Sequence, residues 1–432
     1  MCDAVFREMR TVERSRTWTL EALAKFWVAV VMRRPASLSE ALEEAYGGRG
    51  GYELIECSRS SFFQRSQHLR WEFFHELFTR FGASVLPECP PDFESELRAR
   101  LPAFAEVWAV DGSGLDRIAK RLKVVRDVSE VVIPGSVLAF YDLFRGLPRA
   151  LLFHEKLLGG EAARLRESLD VVPPGTMLVA DRGFCSVRLL AALTARGVHA
   201  VIRLKRNVVA RDAEELGRHD DQGAEVRECL VTLGEGRSAT PRTRVRLIEK
   251  RLPDGTTLRL ATTVLDPALL PATAALALYR RRWAVERLFQ DLKEVLNLRR
   301  FYAANTNAVA MQIYASAIVY TALRAAQSHI ARKHRLRPEE LSTKKLFPRV
   351  AAAHFRLVET LQTFEAIRAA NRGVELVEPD WKLLGICRIR LNRLLVEKRR
   401  GPRRRPGYSK RRPLMVSLQR FERHRRPSGQ AP

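Results

Sequence analysis

Acidic residues are in short supply: 49 Asp and Glu face 75 Lys and Arg, a formal net charge of +26 over 432 residues. That deficit excludes a surface built for basic partners and implies a polyanionic one, although charge alone separates neither DNA from RNA nor either from an anionic membrane. Cysteine is scarce too. The six cysteines, Cys2, Cys57, Cys89, Cys185, Cys229 and Cys387, form no C-x-x-C, and the nine histidines make no ligand spacing with them. A disulfide framework and a zinc site are therefore not expected. The first residues carry Asp3 and Glu8 and no apolar run, so no secretory signal is expected and the cytoplasm is the expected compartment. Long uncharged stretches are almost missing. One, Phe301 to Leu323, exceeds the length of about 20 residues that spans a bilayer. It contains Asn305, Asn307, Gln312 and Ser316 and lacks one-sided basic flanks, which predicts a buried helix packed behind the helix that follows Tyr279, and no membrane partner.

What is present suits a large core. At 46% hydrophobic and 29% charged, the chain can bury extensive apolar surface and is expected to divide into two to four units. Residues 1–103 read as mainly helical. Thr19 to Met32 is amphipathic, Ser37 with Glu40 forms a capping box for a helix through Glu44, and Arg59 to Phe81 shows apolar periodicity. The interval Ser58 to Gln67 suits a DNA-recognition helix and equally a plain bundle helix, with Phe62 and Phe63 expected in the core. Residues 208–270 read as short strands, Val226 to Leu233, Thr243 to Arg251 and Thr257 to Val264. Residues 331–397 return to helix. Residues 398–432 read as a flexible basic tail, with nine Lys or Arg in the fifteen residues from Lys398 to Arg412.

Four residues carry chemical information. Tyr279, Arg282, Glu286 and Lys293 recur at spacings that a helix turning about 100° per residue stacks on one face. Leu278, Val285, Leu288, Leu292, Val295 and Leu296 form an apolar stripe beside them. Taken alone, this is also the pattern of an ordinary charged helix, with Arg282 and Glu286 as an i,i+4 pair. Two upstream segments alter its weight. Val107 to Asp111 and Met177 to Asp181 are short apolar runs, each ending in an aspartate before turn residues, as buried strands delivering a carboxylate would. An ionised carboxylate there is costly unless it is paired or holds a metal, though Asp181 could equally cap the helix that follows. Around them come strands at Ser136 to Leu143 and Arg149 to Glu155, a helix from Glu161 to Leu169, a helix ending near Arg196 and a strand from Val198 to Leu204.

The spacing Tyr-x2-Arg-x3-Glu-x6-Lys, with Asp111-Gly-Ser and Asp181-Arg-Gly-Phe upstream, resembles the DDE transposases of bacterial insertion sequences, in particular the family of insertion sequence 4. The likeness runs over roughly residues 104 to 300. It implies an α/β fold: a ribonuclease-H-like mixed-sheet catalytic core (104–207 and 271–330) interrupted by a β-rich insertion (208–270) and flanked by helical regions. It also implies that Asp111, Asp181 and Glu286 are catalytic ligands of two divalent metal ions, Mg²⁺ with Mn²⁺ as a substitute, since hard cations suit carboxylate oxygens and relieve the repulsion of attack on a phosphodiester. Tyr279, Arg282 and Lys293 would bind DNA phosphates.

The implied activity is binding of terminal inverted repeats in double-stranded DNA, then strand cleavage and transfer into target DNA by a homodimer, without a small-molecule cofactor, in the bacterial cytoplasm at the nucleoid. In hairpin-forming relatives a tryptophan of the insertion takes a flipped base; Thr257 to Thr263 has none here, and Arg259 is the candidate substitute. A nuclease with the same core but no strand transfer, and an inactive or domesticated DNA-binding protein, are the competing expectations.

Overall fold

The computed structural model describes residues 1–9, 18–47, 58–114, 135–155, 160–221, 223–234, 241–296, 298, 301–302, 305–370, 396–399 and 413–416. The chain divides into two compact units, 93–289 and the remainder. The first holds a nine-stranded sheet. In chain order the strands are β1 (Val107–Gly114), β2 (Ser136–Asp142), β3 (Leu147–His154), β4 (Met177–Ala180), β5 (His199–Arg203), β6 (Ala210–Asp220), β7 (Glu225–Leu233), β8 (Thr243–Arg251) and β9 (Thr257–Thr262). Their spatial order is β3-β2-β1-β4-β5-β9-β8-β7-β6. β1 pairs antiparallel with β2 and parallel with β4, and β4 runs parallel with β5. The fold class is therefore mixed α/β.

The apolar runs explain the middle of the sheet. Every residue of β4 is buried, and so are the first four of β1, as expected of strands covered on both faces. Leu165 of the helix Glu161–Glu167 and Leu189, Leu190 and Leu193 of the helix Val187–Ala195 join one core with Trp108, Val110, Leu138, Phe140, Leu178 and Ala180. Each fully buried leucine contributes about 1.5–3 kcal/mol relative to exposure. Ser186 caps its helix by accepting from Leu189 N, so the helix start is local chemistry.

β1 departs from expectation. It does not end at Asp111 but runs on to Gly114, because residues 111–114 pair in register with β2, Asp111 opposite Ala139. Beneath it, Asp142 is fully buried and accepts from Phe144 N and Arg145 N at 2.9 Å, and from the Arg145 and Arg149 guanidinium groups at 3.2 Å. Glu106 accepts from the same two arginines, so this polar cluster is satisfied and anchors the start of β1.

The insertion strands extend the same sheet: β9 pairs with β5, Arg203 opposite Leu260. β6 is unexpected. Its sequence, ARDAEELGRHD, has almost no apolar alternation, and it is an edge strand, mostly exposed and twice irregular against β7. Charge and bulges are the usual protection of an edge, and they erase the periodic signal of a strand.

In the second unit, Thr306–Lys333 packs against Leu20–Arg33, Glu72–Val85 and Thr343–Ala370. By length and composition that helix could cross a membrane, but 78% of its apolar window is buried. Ser37 caps Leu38–Tyr46, as its sequence predicts, and Thr19 caps Leu20–Arg33. The periodicity of 59–81 resolves into two helices, Arg59–His68 and Glu72–Val85. On the first of them Phe62 is fully buried against Trp18 and Phe26. Phe63 is not core: it is 38% exposed, its ring resting on the edge of Phe62. Arg65 turns inward and donates to Trp18 O at 2.8 Å. Of the interval suited to recognition, Arg59, Ser60, Gln64 and Gln67 face outward. Residues 396–399 and 413–416 pair as a short antiparallel ladder; the rest of the basic tail lies outside the described residues.

Candidate active site

The sheet brings the two aspartates together. β1 and β4 run parallel with Val107 opposite Met177 and Ala109 opposite Val179; two more residues in that register place Asp111 opposite Asp181. Adjacent strands lie about 4.8 Å apart. The sequence expectation that remote aspartates share one place thus follows from strand pairing.

Asp111 Oδ1 accepts from its neighbour Gly112 N at 2.9 Å, and Asp181 Oδ1 accepts from Gly183 N at 2.6 Å, capping the short turn Arg182–Phe184. Capping and site geometry are not alternatives for Asp181: one oxygen serves the turn.

Glu286 comes from the helix Trp283–Glu294. The four motif residues do not lie on one continuous helix. Ala272–Arg281 ends, Arg282 forms a turn, and a second helix starts at Trp283. Arg282 N donates to Tyr279 O, and Val285 N to Arg282 O, each at 3.2 Å. These three-residue steps tighten the backbone and alter the angular relation of Tyr279 to Glu286. Glu286 and Lys293 remain on one helix, two turns apart, and share a face by helix geometry. The predicted apolar stripe is buried throughout, from Leu278 to Leu296.

Arg282 is the hub of the site. Its Nη1 lies 2.7 Å from Glu286 Oε1, its guanidinium carbon lies 5.9 Å from the Tyr279 ring and 5.2 Å from the Trp283 ring, and only 7% of the residue is exposed. Burial pulls this guanidinium down, but the hydrogen bond to Glu286 and the charges of Glu286, Tyr279 and Asp181 outweigh it and hold it above its ordinary value. Among the described residues its buried Nε has no acceptor.

Burial dominates Asp111 in the opposite sense. Desolvation pushes its carboxyl up to about 7, against the lowering effects of Gly112 N and Arg282, and Glu286 and Asp181 add to the rise by repulsion. The three carboxylates therefore lie within electrostatic reach of one another.

A divalent cation fits this donor set chemically, because its oxygens are hard and anionic. As placed, no three His, Cys, Asp or Glu side chains among the described residues close into a single cage. Glu286 is instead drawn onto Arg282.

Beside Asp181 opens a cleft of about 530 Å³ lined by Arg203, Lys205, Arg206, Asn207, Thr256 and Arg259 among others. Of its cations only Arg259 is marked in the sequence as a DNA contact, although Lys205-Arg206 directly after an apolar strand is a signal for the others. Arg259 lines the cleft with its Nε on Glu249 and Nη1 on Val208 O, so two of its donors are already engaged. Glu161 was also missed. Its carboxylate lies over both Gly112 and Gly183, and nothing local in the sequence marks it.

Comparison with known proteins gives a family likeness. Residues 136–322 match the family model described as transposase DDE domain, a span containing Asp181, Glu286 and the helices around Arg282 but not Asp111. A protein described as a transposase, y4zB of Sinorhizobium fredii, is 28% identical over 255 residues, 55% of this chain and 70% of the relative. A transposase of insertion sequence element IS5377 from Geobacillus stearothermophilus is 28% identical over 151 residues, 34% of this chain and 38% of the relative. One of element IS4SA from Synechocystis is 26% identical over 192 residues, 42% and 50% of the two chains. The chain thus spans half or less of the length of the last two. Over residues 136–322 the chain is similar to the transposase DDE domain, of a family whose members cleave and transfer DNA strands.

Proposed function

We propose that this chain is the transposase of an insertion sequence of the family of insertion sequence 4, that its core is ribonuclease-H-like, and that it binds the terminal inverted repeats of its element, cleaves them and joins them to target DNA. One observation carries the reading: Asp111, Asp181 and Glu286, remote in sequence, share one electrostatic environment with a buried arginine.

In this reading Asp111, Asp181 and Glu286 hold the divalent cations, two Mg²⁺ for which Mn²⁺ can substitute. Bound there, the cations supply positive charge that offsets the developing negative charge at the scissile phosphate. The protein's own part is placement. The β1–β4 register fixes the aspartates side by side, and the Gly112 and Gly183 amides each occupy one carboxylate oxygen and orient the other. The Nε of Arg282 is an N–H with no acceptor among the described residues, as expected of a guanidinium that waits for a phosphate oxygen. Tyr279 and Lys293 complete the phosphate contacts, a phenol donating one hydrogen bond and an ammonium a point charge. Arg203, Lys205 and Arg206 extend the positive field along the cleft, where a DNA strand leaving Asp181 would run. The outward residues of Arg59–His68 are the candidate readers of the repeat. A homodimer would pair the two element ends.

The test is strand cleavage and joining on labelled element ends in Mg²⁺. Asp111→Asn, Asp181→Asn and Glu286→Gln should each abolish cleavage while retaining end binding. Cleavage that survives in all three would end the proposal, and cleavage without joining by the wild type would favour a nuclease.

A further inference from the structure

The helix Ala272–Arg281 carries Tyr279, leads into Arg282 and is tied down at both ends. Just before it, the wholly buried Arg246 of β8 donates from Nη2 to Leu270 O. At its far end two neighbouring arginines meet acids from distant segments. Arg281 Nε lies 2.9 Å from Glu94 Oε2, and Arg280 Nη1 lies 4.0 Å from Asp221 Oδ2. Asp221 directly follows β6 and also accepts from Lys250 Nζ of β8 at 2.7 Å. That hydrogen bond, with the charges of Lys250, Arg280 and His219, holds the Asp221 carboxyl below its ordinary value against desolvation, so it is ionised at neutral pH. Adjacent helical residues point about 100° apart. The two ion pairs therefore pull on the helix end from two directions, and together they oppose a roll about its axis.

Stability alone does not account for this arrangement. The Arg280 and Arg281 side chains are about half exposed, and ion pairs in contact with water add little to stability. Glu94 has φ 49°, in the left-handed region that side chains other than those of Asn and Asp rarely adopt. It is the N-cap of the short helix Ser95–Ala99 but makes no side-chain cap there; its carboxylate reaches Arg281 instead. A strained backbone that serves a weakly stabilising pair points to a requirement of placement. What is placed is Arg282, one residue on, whose buried guanidinium meets Glu286 at 2.7 Å. A roll of about 10° would carry a guanidinium about 8 Å off the helix axis through roughly 1.4 Å. A misplacement of about 1 Å can cost about a hundredfold in rate.

We propose that Glu94 and Asp221 are positioning residues of the active site: through Arg281 and Arg280 they hold the end of Ala272–Arg281 so that Arg282 meets Glu286 and faces the phosphate. This rests on the transposase reading given above. Arg280 and Arg281, two cations that a DNA strand could have claimed, are then ties within the protein. The insertion, through Asp221, Lys250 and Arg246, braces the helix that carries Tyr279.

The test is single-turnover cleavage of labelled element ends in Mg²⁺ by the full-length protein at saturating DNA. End binding is measured by gel shift, and amide hydrogen exchange of residues 279–286 is measured without DNA. Glu94→Gln should slow cleavage about tenfold, leave binding unchanged and speed exchange in that segment. Arg281→Gln should do the same to cleavage and exchange, and the two together should be no worse than either alone. The swap of Glu94→Arg with Arg281→Glu should recover most of the rate. If Glu94→Gln does not fold, Arg281→Gln, which leaves the backbone at 94 as it is, carries the same comparison. Arg280→Gln tests the second tie without taking Asp221 from Lys250; wild-type cleavage there would overturn the part given to Asp221. Were Arg281 a DNA contact, freeing it by Glu94→Gln would keep or raise both affinity and rate, and that result would overturn the positioning role while a cutting wild type leaves the parent reading intact. Unchanged exchange in the variants would overturn the positioning role equally. A wild type that cuts no element end would overturn the transposase reading, and this role with it.

Discussion

Asp111→Asn should stabilise the metal-free protein while removing its chemistry. Burial raises the Asp111 carboxyl from the ordinary 3.8 to about 7, so ionising it in the folded state is penalised. The direction follows from linkage. A carboxyl whose folded value lies above its unfolded value favours the folded state below about pH 4, and this contribution is lost as pH rises through about 7. The full rise corresponds to about 4 kcal/mol at 1.36 kcal/mol per unit. Asp111 keeps some solvent contact, and asparagine loses the attraction of Arg282, so about 2 kcal/mol is the expected gain above pH 7. The assay is urea denaturation in EDTA at several pH values between 5 and 8.5. Asp111→Asn should already be the more stable at pH 5, and its advantage should grow up to about pH 7.5 and then level off. Excess Mn²⁺ at pH 8 should narrow the gap by stabilising the wild type more than the variant. A variant less stable than wild type in EDTA at pH 8, or a difference independent of pH, would refute the assignment of Asp111 as a buried carboxylate in need of a counter-charge.

Arg282→Ala should slow strand cleavage about a hundredfold, the usual cost of losing one donor to a developing charge, with element-end binding measured in parallel by gel shift. Asp142→Ala leaves two backbone amides without their acceptor and removes one of the two carboxylates that the Arg145 and Arg149 guanidinium groups share, and should cost about 3–5 kcal/mol of stability by urea denaturation. Replacing Arg203, Lys205 and Arg206 together by Gln should weaken DNA binding without changing sequence preference. The slope of log affinity against log salt should shrink by about one for each phosphate that is no longer neutralised.

The parts of the fold legible in sequence are those where local chemistry and tertiary demand agree. The β4 run Met177 to Ala180, the cap Ser37, and the stripe from Leu278 to Leu296 are where pattern predicts, because each must bury apolar area or close a helix end wherever the chain goes. Failures have the opposite character. Gly112, Ser113 and Gly114 are turn formers and predict a stop of β1 at Asp111, yet β2 supplies ladder partners for all three, and pairing overrides propensity. β6 is invisible in sequence because an edge strand need not alternate. Tyr279, Arg282 and Glu286 fit one helix by spacing, while the break at Arg282 arises from short-range hydrogen bonds that no spacing rule registers. Glu161 has no sequence signal at all. Its position depends on the docking of its helix on β2 and on the two glycines beneath it, and these meet only across the fold.

The sheet order bears on how chemistry and substrate path are linked. An insertion between the second aspartate and the glutamate could have formed a separate module on flexible connections. Here β9 is hydrogen-bonded to β5, and β5 is the parallel neighbour of β4, so the insertion continues the sheet whose strand β4 leads to Asp181. The cationic cleft is built from the end of β5, the following residues 204–207 and the turn into β9. All three are held by the same ladder that fixes the aspartates. Motion of the cleft relative to Asp181 would then require breaking backbone hydrogen bonds of central strands, which open only with large-scale unfolding. The cleft is therefore placed to guide a strand past the carboxylates in a fixed register. Cross-linking Thr257 to a DNA backbone should report one preferred nucleotide distance from the scissile bond, and a broad distribution would show that the insertion moves independently.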